Sequence, residues 1–108
     1  MNRQTSNAVK MTNREFFRQR EAAALRRIPG VRELLKANPD HLPALEKKYP
    51  DAVFALFIVS NLFFHDRELT NIHMSAYTDI LNGERIADIR FRYELEMKHY
   101  AEHHLWDD

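Results

Sequence analysis

The stretch that decides the fold is PDAVFALFIVSNLFF, from Pro50 to Phe64. At 100° per residue its apolar side chains cover every side of a helix, as is typical of the central helix of a small bundle. A membrane-spanning helix needs about 20 apolar residues, and this stretch is shorter. We therefore predict a helix buried at the centre of the protein, with its phenylalanines in the core.

Helical patterns and helix-ending residues flank this stretch on both sides. Thr12 and Glu15 have the spacing of a capping box, which predicts a helix start. Pro29-Gly30 predicts a stop, and Gly83 a C-terminal cap. The other predicted helices cover residues 13–28, 31–37, 41–49, 66–82 and 84–105.

We predict an all-α fold, an irregular bundle of five or six helices with a long C-terminal helix. The last two helices should pack antiparallel around Gly83. Apolar positions at helical spacing predict the core residues Phe17, Leu34, Leu45, Val53, Leu56, Phe57, Leu69, Ile72, Ile80, Ile86, Ile89 and Tyr93.

The chain has 108 residues and no cysteine. That length fits one domain, and we expect residues 1–11 to form a flexible N-terminal tail before a single helical domain over residues 12–108. The lack of cysteine fits a reducing compartment. The first dozen residues hold no apolar run of a secretory signal, so we expect a cytoplasmic protein that does not bind membranes.

Charge is distributed unevenly along the chain. Residues 1–36 carry nine lysines and arginines against three acids, a net charge of +6, whereas the remaining residues carry a net charge of −6. Such asymmetry indicates an electrostatic partner. The alternative is that the basic first helix lies against the acidic half of the same chain.

The last predicted helix has two apolar stripes. One contains Ile86, Ile89, Tyr93, Met97, Tyr100 and His104, and the other contains Phe91, Leu95 and Trp106, beside a polar strip that includes Asp88 and Glu96. A second apolar stripe must be covered by another helix of the same chain or by a partner. If it is a partner, a twofold homodimer is the commonest arrangement.

Several kinds of chemistry find little support. His99 and His103 have the i, i+4 spacing of metal ligands, and Glu96 with His99 forms a single Glu-x-x-His pair where di-iron bundles need two. No glycine-rich phosphate loop and no nucleophile elbow is present. We therefore expect no enzyme activity, no metal, no cofactor and no small-molecule substrate.

The arginines of the first helix favour a different partner. Arg14 and Arg18 share one face, and Arg20 and Arg27 share another, at spacings that could follow a phosphate backbone.

Our main hypothesis is a small non-enzymatic regulatory or adaptor protein that acts by binding another protein, with Phe91, Leu95 and Trp106 as apolar anchors and Asp88 and Glu96 as charged neighbours. In one form it would inhibit or modulate a nucleic-acid-handling enzyme, because its acidic half could imitate a phosphate backbone. The alternative is a nucleic-acid-binding regulator that uses the N-terminal arginines.

Overall fold

A computed structural model describes residues 12–104. Within that range the chain forms six helices and no strand, which confirms the predicted all-α fold with a long last helix. The helices are α1 (Asn13–Arg26), α2 (Val31–Lys36), α3 (Leu42–Lys48), α4 (Pro50–Ser60), α5 (Arg67–Leu81) and α6 (Ile86–His104). The predicted tail, residues 1–11, lies outside the described residues.

Helix α4 lies at the centre of the fold, with α2, α3, α5 and α6 packed around it. Its residues Ala52, Ala55 and Ile58 are fully buried, and Ile80 of α5 and Ile89 of α6 are also buried in this core. The predicted central position of this helix is therefore confirmed. None of the helices in residues 12–104 is long and apolar enough to cross a membrane.

Helix α4 ends at Ser60, four residues before the predicted end. The Asn61 side chain donates a 2.8 Å hydrogen bond to the Phe57 carbonyl, one of the carbonyls left without a helical partner. Residues 61–66 then connect α4 to α5. The Thr70 hydroxyl binds both the amide and the carbonyl of Phe64, which fixes this connection against α5.

The prediction that all phenylalanines of this stretch are core residues is wrong. Phe54 is buried, but the exposed fraction is 45% for Phe57 and 81% for Phe63, and Phe64 is also exposed. A domain of this size buries only about two-thirds of the surface of its unfolded chain, so a helix that is apolar on every side is not covered on every side.

The other predicted core residues are confirmed in part. Leu34, Ile72, Ile80 and Ile89 are buried, whereas Phe17 is exposed. Phe17 is exposed because α1 joins the core only by its C-terminal half, where Ala24 is its one buried residue. The remaining predicted core residues are half-buried: Leu45, Val53, Leu56, Leu69, Ile86 and Tyr93.

Helices α5 and α6 pack antiparallel, as predicted. The turn between them contains Gly83 at φ +78, a backbone conformation that glycine adopts without strain. Arg92 of α6 pairs with Asp79 near the turn, and Tyr100 donates a hydrogen bond to Asp66 at the far end.

The junction between α1 and α2 is fixed by a second glycine. Gly30 has φ +94, and the Tyr49 side chain packs so closely against its Cα that a Cβ atom would overlap the ring. Tyr49 therefore packs directly against the junction between α1 and α2. The N-terminal end of α1 is capped as predicted, because Thr12 Oγ1 accepts a 3.1 Å hydrogen bond from the Glu15 amide.

Candidate protein-binding surfaces

The two stripes of α6 have different environments. Ile89 is buried and Ile86, Tyr93 and Met97 are half-buried, so the first stripe faces the core. The second stripe is exposed, with 64% of Phe91 and 44% of Leu95 accessible. No helix within residues 12–104 encloses these two side chains. Trp106, the third predicted anchor, lies outside the described residues.

Asp88 and Glu96 are both exposed on α6. Asp88 lies 3.9 Å from Arg85, three residues earlier in the chain, and forms an ion pair with it. Such exposed pairs contribute little to stability, so both carboxylates remain free to meet a partner. The structure thus places these two predicted charged residues on the surface, beside the exposed stripe.

Acids and bases pair with each other in the second half of the chain. Arg90 of α6 forms a 2.8 Å ion pair with Asp51 of α4. Arg92 forms a 2.7 Å pair with Glu84 and a 3.3 Å pair with Asp79. The hydrogen bond from Arg92 lowers the pKa of Glu84, whereas burial and the neighbouring Glu84 raise the pKa of Asp79 despite Arg92.

The arginines of α1 are not neutralised in this way. Within residues 12–104, none of them forms an ion pair with a carboxylate. Arg20 makes two long hydrogen bonds of 3.5 Å, to the Leu81 carbonyl and to Asn82 Oδ1. The expected alternative, that the basic helix is balanced by the acidic half of the same chain, therefore has no support from these contacts.

The four arginines proposed for nucleic-acid binding are divided between two sides of α1. Arg20 faces the end of α5, and the Arg27 guanidinium lies beside Gly83. Arg14 is exposed, and Arg18 lines a groove between α1 and α2. A phosphate backbone lying along one side of α1 would therefore contact only part of this set.

This groove between α1 and α2 was not predicted from the sequence. It has a volume of about 720 Å³, within the range of ligand-binding clefts. Its apolar surface comes from Ala22, Leu25, Ile28, Pro29, Val31, Leu35 and Tyr49. Leu35 is 68% exposed and therefore available to an incoming side chain.

The rim of the groove is basic. Four cationic side chains, Arg18, Arg26, Arg32 and Lys36, stand against the two carboxylates of Glu21 and Glu33. Glu21 also acts on Tyr77 of α5: burial, followed by this neighbouring carboxylate, raises the pKa of Tyr77 to about 12. An apolar cleft with excess positive charge on its rim suits a ligand that is both apolar and acidic.

The sequence contained a partial signal for the groove. Ala22 and Leu25 are one turn apart on α1, as are Leu35 and Arg32 on α2. On α1 these positions show an apolar side beyond the one that enters the core, and on α2 the apolar neighbour of Leu35 one turn away is Val31. They do not show that the two sides face each other, because that depends on the packing of Tyr49 against Gly30.

His73 is the one buried polar residue in the core of residues 12–104. Its Nε2 lies 3.0 Å from the Tyr93 hydroxyl, and its ring packs against Phe57 and Phe64. Burial lowers the pKa of His73, although the Asn61 backbone opposes this shift; His73 Nδ1 makes no hydrogen bond of good geometry. The aromatic surroundings therefore hold a neutral imidazole, as part of the core.

The residues that could hold a metal ion differ from those with the sequence spacing. His99 and His103 are both exposed. Among the described residues, Asp66, Glu68 and His104 have ligand atoms within 4.8 Å of one another.

Ion pairs and hydrogen bonds explain this proximity. His104 Nε2 lies 3.6 Å from Asp66 and 3.8 Å from Glu68, and His104 Nδ1 lies 2.7 Å from the Tyr100 carbonyl. The hydrogen bond from Tyr100 is the main cause that lowers the pKa of Asp66, which also caps α5. These contacts hold the end of α6 against the start of α5.

Comparison with known proteins gives no match to a family model, a curated protein or a solved structure. The surfaces described above are therefore the basis for a functional proposal. Two of them have exposed apolar side chains beside charges: the α1–α2 groove and the Phe91–Leu95 stripe of α6.

Proposed function

We propose that this chain is a small non-enzymatic adaptor or regulatory protein that acts by binding another protein. The observation that carries the proposal is the α1–α2 groove, which combines exposed apolar side chains with four cations that have no acidic partner in ion-pair range within residues 12–104. An exposed apolar patch rimmed by charged side chains is typical of a protein-interaction site.

The groove favours one class of partner segment, an amphipathic helix whose polar side is acidic. Apolar side chains at one-turn spacing would enter between α1 and α2, in the way that peptide helices bind hydrophobic grooves. Carboxylates on the same segment would meet Arg26, Arg32 and Lys36 on the rim. The positive rim would also increase the rate of association with an acidic partner.

The second surface is the exposed stripe of α6. Phe91 and Leu95 would be its apolar anchors, with Trp106 as a further one, and Asp88 and Glu96 would orient the partner. Large aromatic side chains contribute most of the binding energy in many interfaces. With two different surfaces the chain could join two partners, as an adaptor does, or form a homodimer through one of them.

A narrower form of the proposal concerns the target. The acidic side of α6, with Asp88 and Glu96, could occupy a surface that normally binds phosphates, which would make the protein an inhibitor or modulator of a nucleic-acid-handling enzyme. We place this activity in the cytoplasm, because the chain has no cysteine.

The test uses a labelled helical peptide with leucines on one face and glutamates on the other. We expect it to bind the purified chain, and we expect Leu35→Asp to weaken binding at least about tenfold by placing a charge in the apolar contact. Phe63→Asp is the matched control, because Phe63 is an apolar residue that is 81% exposed and lies outside both proposed surfaces, so this variant should leave binding intact. Equal affinity of all three proteins would contradict the proposal.

The alternative function is a nucleic-acid-binding regulator, favoured because Arg14, Arg18, Arg20 and Arg27 form no ion pair with a carboxylate of residues 12–104. It predicts binding to labelled DNA that decreases steeply from low to near-physiological salt. Because Arg14 and Arg18 lie apart from Arg20 and Arg27, neutralising one pair should abolish binding and neutralising the other should not. No binding at low salt would reject this function.

A further inference from the structure

We propose that the α1–α2 groove of one copy binds residues 105–108 of a second copy, with Trp106 as the anchor. This inference depends on the groove being the partner-binding surface proposed above. The occupant would be a segment of the chain itself, so the groove would be either filled by a second copy or open to a partner.

The chemistry of residues 105–108 matches that of the groove. Their sequence is Leu-Trp-Asp-Asp, two large apolar side chains followed by two carboxylates. The groove offers exposed Leu35 beside Leu25 for the apolar pair, and cations on its rim for the aspartates. No other four residues of the sequence combine tryptophan with two acids, since Trp106 is the only tryptophan.

The groove of the same chain is out of reach. Residues 105–108 follow His104, which lies beside Asp66 just before the start of α5. The groove is formed by the C-terminal half of α1, and this half packs against the other end of α5, where Arg27 lies beside Gly83.

The length of α5 separates these two places. Its 15 residues span about 22 Å at 1.5 Å per residue. Four extended residues reach at most about 14 Å. The occupant of the groove must therefore come from a second copy.

Reciprocal exchange would close the assembly. If each copy places its residues 105–108 in the groove of the other, the two contacts form a twofold dimer and no groove remains open. Each contact is small, so the dimer should be weak and should dissociate on dilution, although the second contact benefits from the high effective concentration set by the first.

The consequence is self-inhibition of partner binding. An acidic amphipathic segment of another protein and residues 105–108 would compete for the same apolar surface and the same cations. At high protein concentration the grooves would be filled by other copies, and a partner would have to displace them. Regulation would then follow from concentration and from salt, which weakens the pairing of the aspartates with the rim.

Fluorescence of the single tryptophan reports this contact directly in the full chain. We expect the Trp106 emission to shift to shorter wavelength as protein concentration rises, in parallel with a change from monomer to dimer in sedimentation. Leu35→Asp should remove both changes, and Phe63→Asp, at an exposed apolar residue outside both proposed surfaces, should remove neither. Emission that does not depend on concentration, or that shifts equally in Leu35→Asp, would overturn the inference.

A mixing experiment tests whether the contact joins two chains. Trp106→Ala has an intact groove and gives no tryptophan signal, whereas Leu35→Asp has a blocked groove and an intact Trp106. Adding Trp106→Ala to Leu35→Asp should restore the blue shift, because one chain supplies the groove and the other the segment. Failure to restore it would overturn the inference.

The peptide experiment separates this inference from the proposed function. If the acidic helical peptide binds at the groove but Trp106 emission never changes, the inference is wrong and the proposed function is retained. If neither the peptide nor residues 105–108 binds, both are wrong. If both bind, adding the unlabelled peptide should reverse the blue shift, and a blue shift unchanged at saturating peptide would reject the shared groove.

Discussion

Helices α1 and α2 differ from helices α4, α5 and α6 in how their charged side chains are paired and how far their apolar side chains are covered. In the second group the arginines Arg90 and Arg92 have acidic partners, and the core around Ile58 is closed. In the first group the cations lack such partners within the described residues, and Leu35 remains exposed.

The difference indicates a division of roles within one small domain. Side chains that are buried or paired contribute to the free energy of unfolding, whereas unpaired and exposed ones contribute little to it. Substitutions in α4–α6 should therefore change stability first, and exposed positions of α1–α2 should change binding first. Substitutions in each group of helices test this division.

Ile58→Ala should be the most damaging of these substitutions. Ile58 is fully buried at the centre of α4, so removing its methyl groups should lower the free energy of unfolding by about 2–5 kcal/mol. Chemical denaturation measures this loss. Leu35→Ala is the control in the groove and should cost less than about 0.5 kcal/mol. A similar cost for both would mean that the groove is part of the core.

Gly30→Ala tests the junction on which the groove depends. The left-handed backbone at Gly30 costs about 1–2 kcal/mol of stability when alanine replaces glycine, and the Tyr49 ring would have to move as well. We expect a loss of at least this size in thermal denaturation and weaker peptide binding. At Gly83→Ala the new Cβ meets only the flexible Arg27 guanidinium, at 3.2 Å, so this variant should be less destabilised and should retain binding.

The buried His73 should make stability depend on pH. Its pKa in the folded state lies below its ordinary value of 6.5, because burial disfavours the charged ring. Below pH 6.5 the unfolded chain therefore binds a proton that the folded chain does not, and stability falls as the pH falls toward the folded-state pKa.

Denaturation at several pH values between about 7 and 5 checks this dependence. His73→Phe should have a flatter profile than the original chain over that range. His65→Gln changes an exposed histidine and should keep the original slope. Identical slopes in His73→Phe and the original chain would show that burial of the His73 ring does not make stability depend on pH.

The smallest effect concerns the ion pair between α6 and α4. Arg90→Gln should lower the free energy of unfolding by about 0.2–1 kcal/mol, because both partners are partly exposed. High salt should reduce the difference from the original chain. Arg18→Gln removes an exposed cation in the middle of α1 that has no acidic partner in residues 12–104, so it should leave stability unchanged. A larger loss for Arg18→Gln than for Arg90→Gln would contradict the difference between the two groups of helices.

The exposure of apolar side chains was harder to predict than the fold. The sequence identified Phe91 and Leu95 as part of a second apolar stripe on α6, but it left open whether another helix of the chain or a partner covers them. The structure leaves 64% of Phe91 and 44% of Leu95 exposed. The sequence also implied that every side of α4 would be covered, which is wrong for Phe57, and that Phe63 would be buried, which is wrong as well. Helical spacing assigns a residue to a side of its helix, but it does not show whether a neighbouring helix reaches that side.

The sequence by itself determined the all-α class, the order of the helices and the start of α1, because helical periodicity, the Thr12 cap and the two glycines act over a few residues. Only the tertiary structure decided which apolar sides remain open and which charges are paired. Tyr49, which lies after α3 in the chain, packs against Gly30 at the junction of α1 and α2 and lines the groove. Such contacts depend on how whole helices pack, so no local pattern of residues specifies the groove.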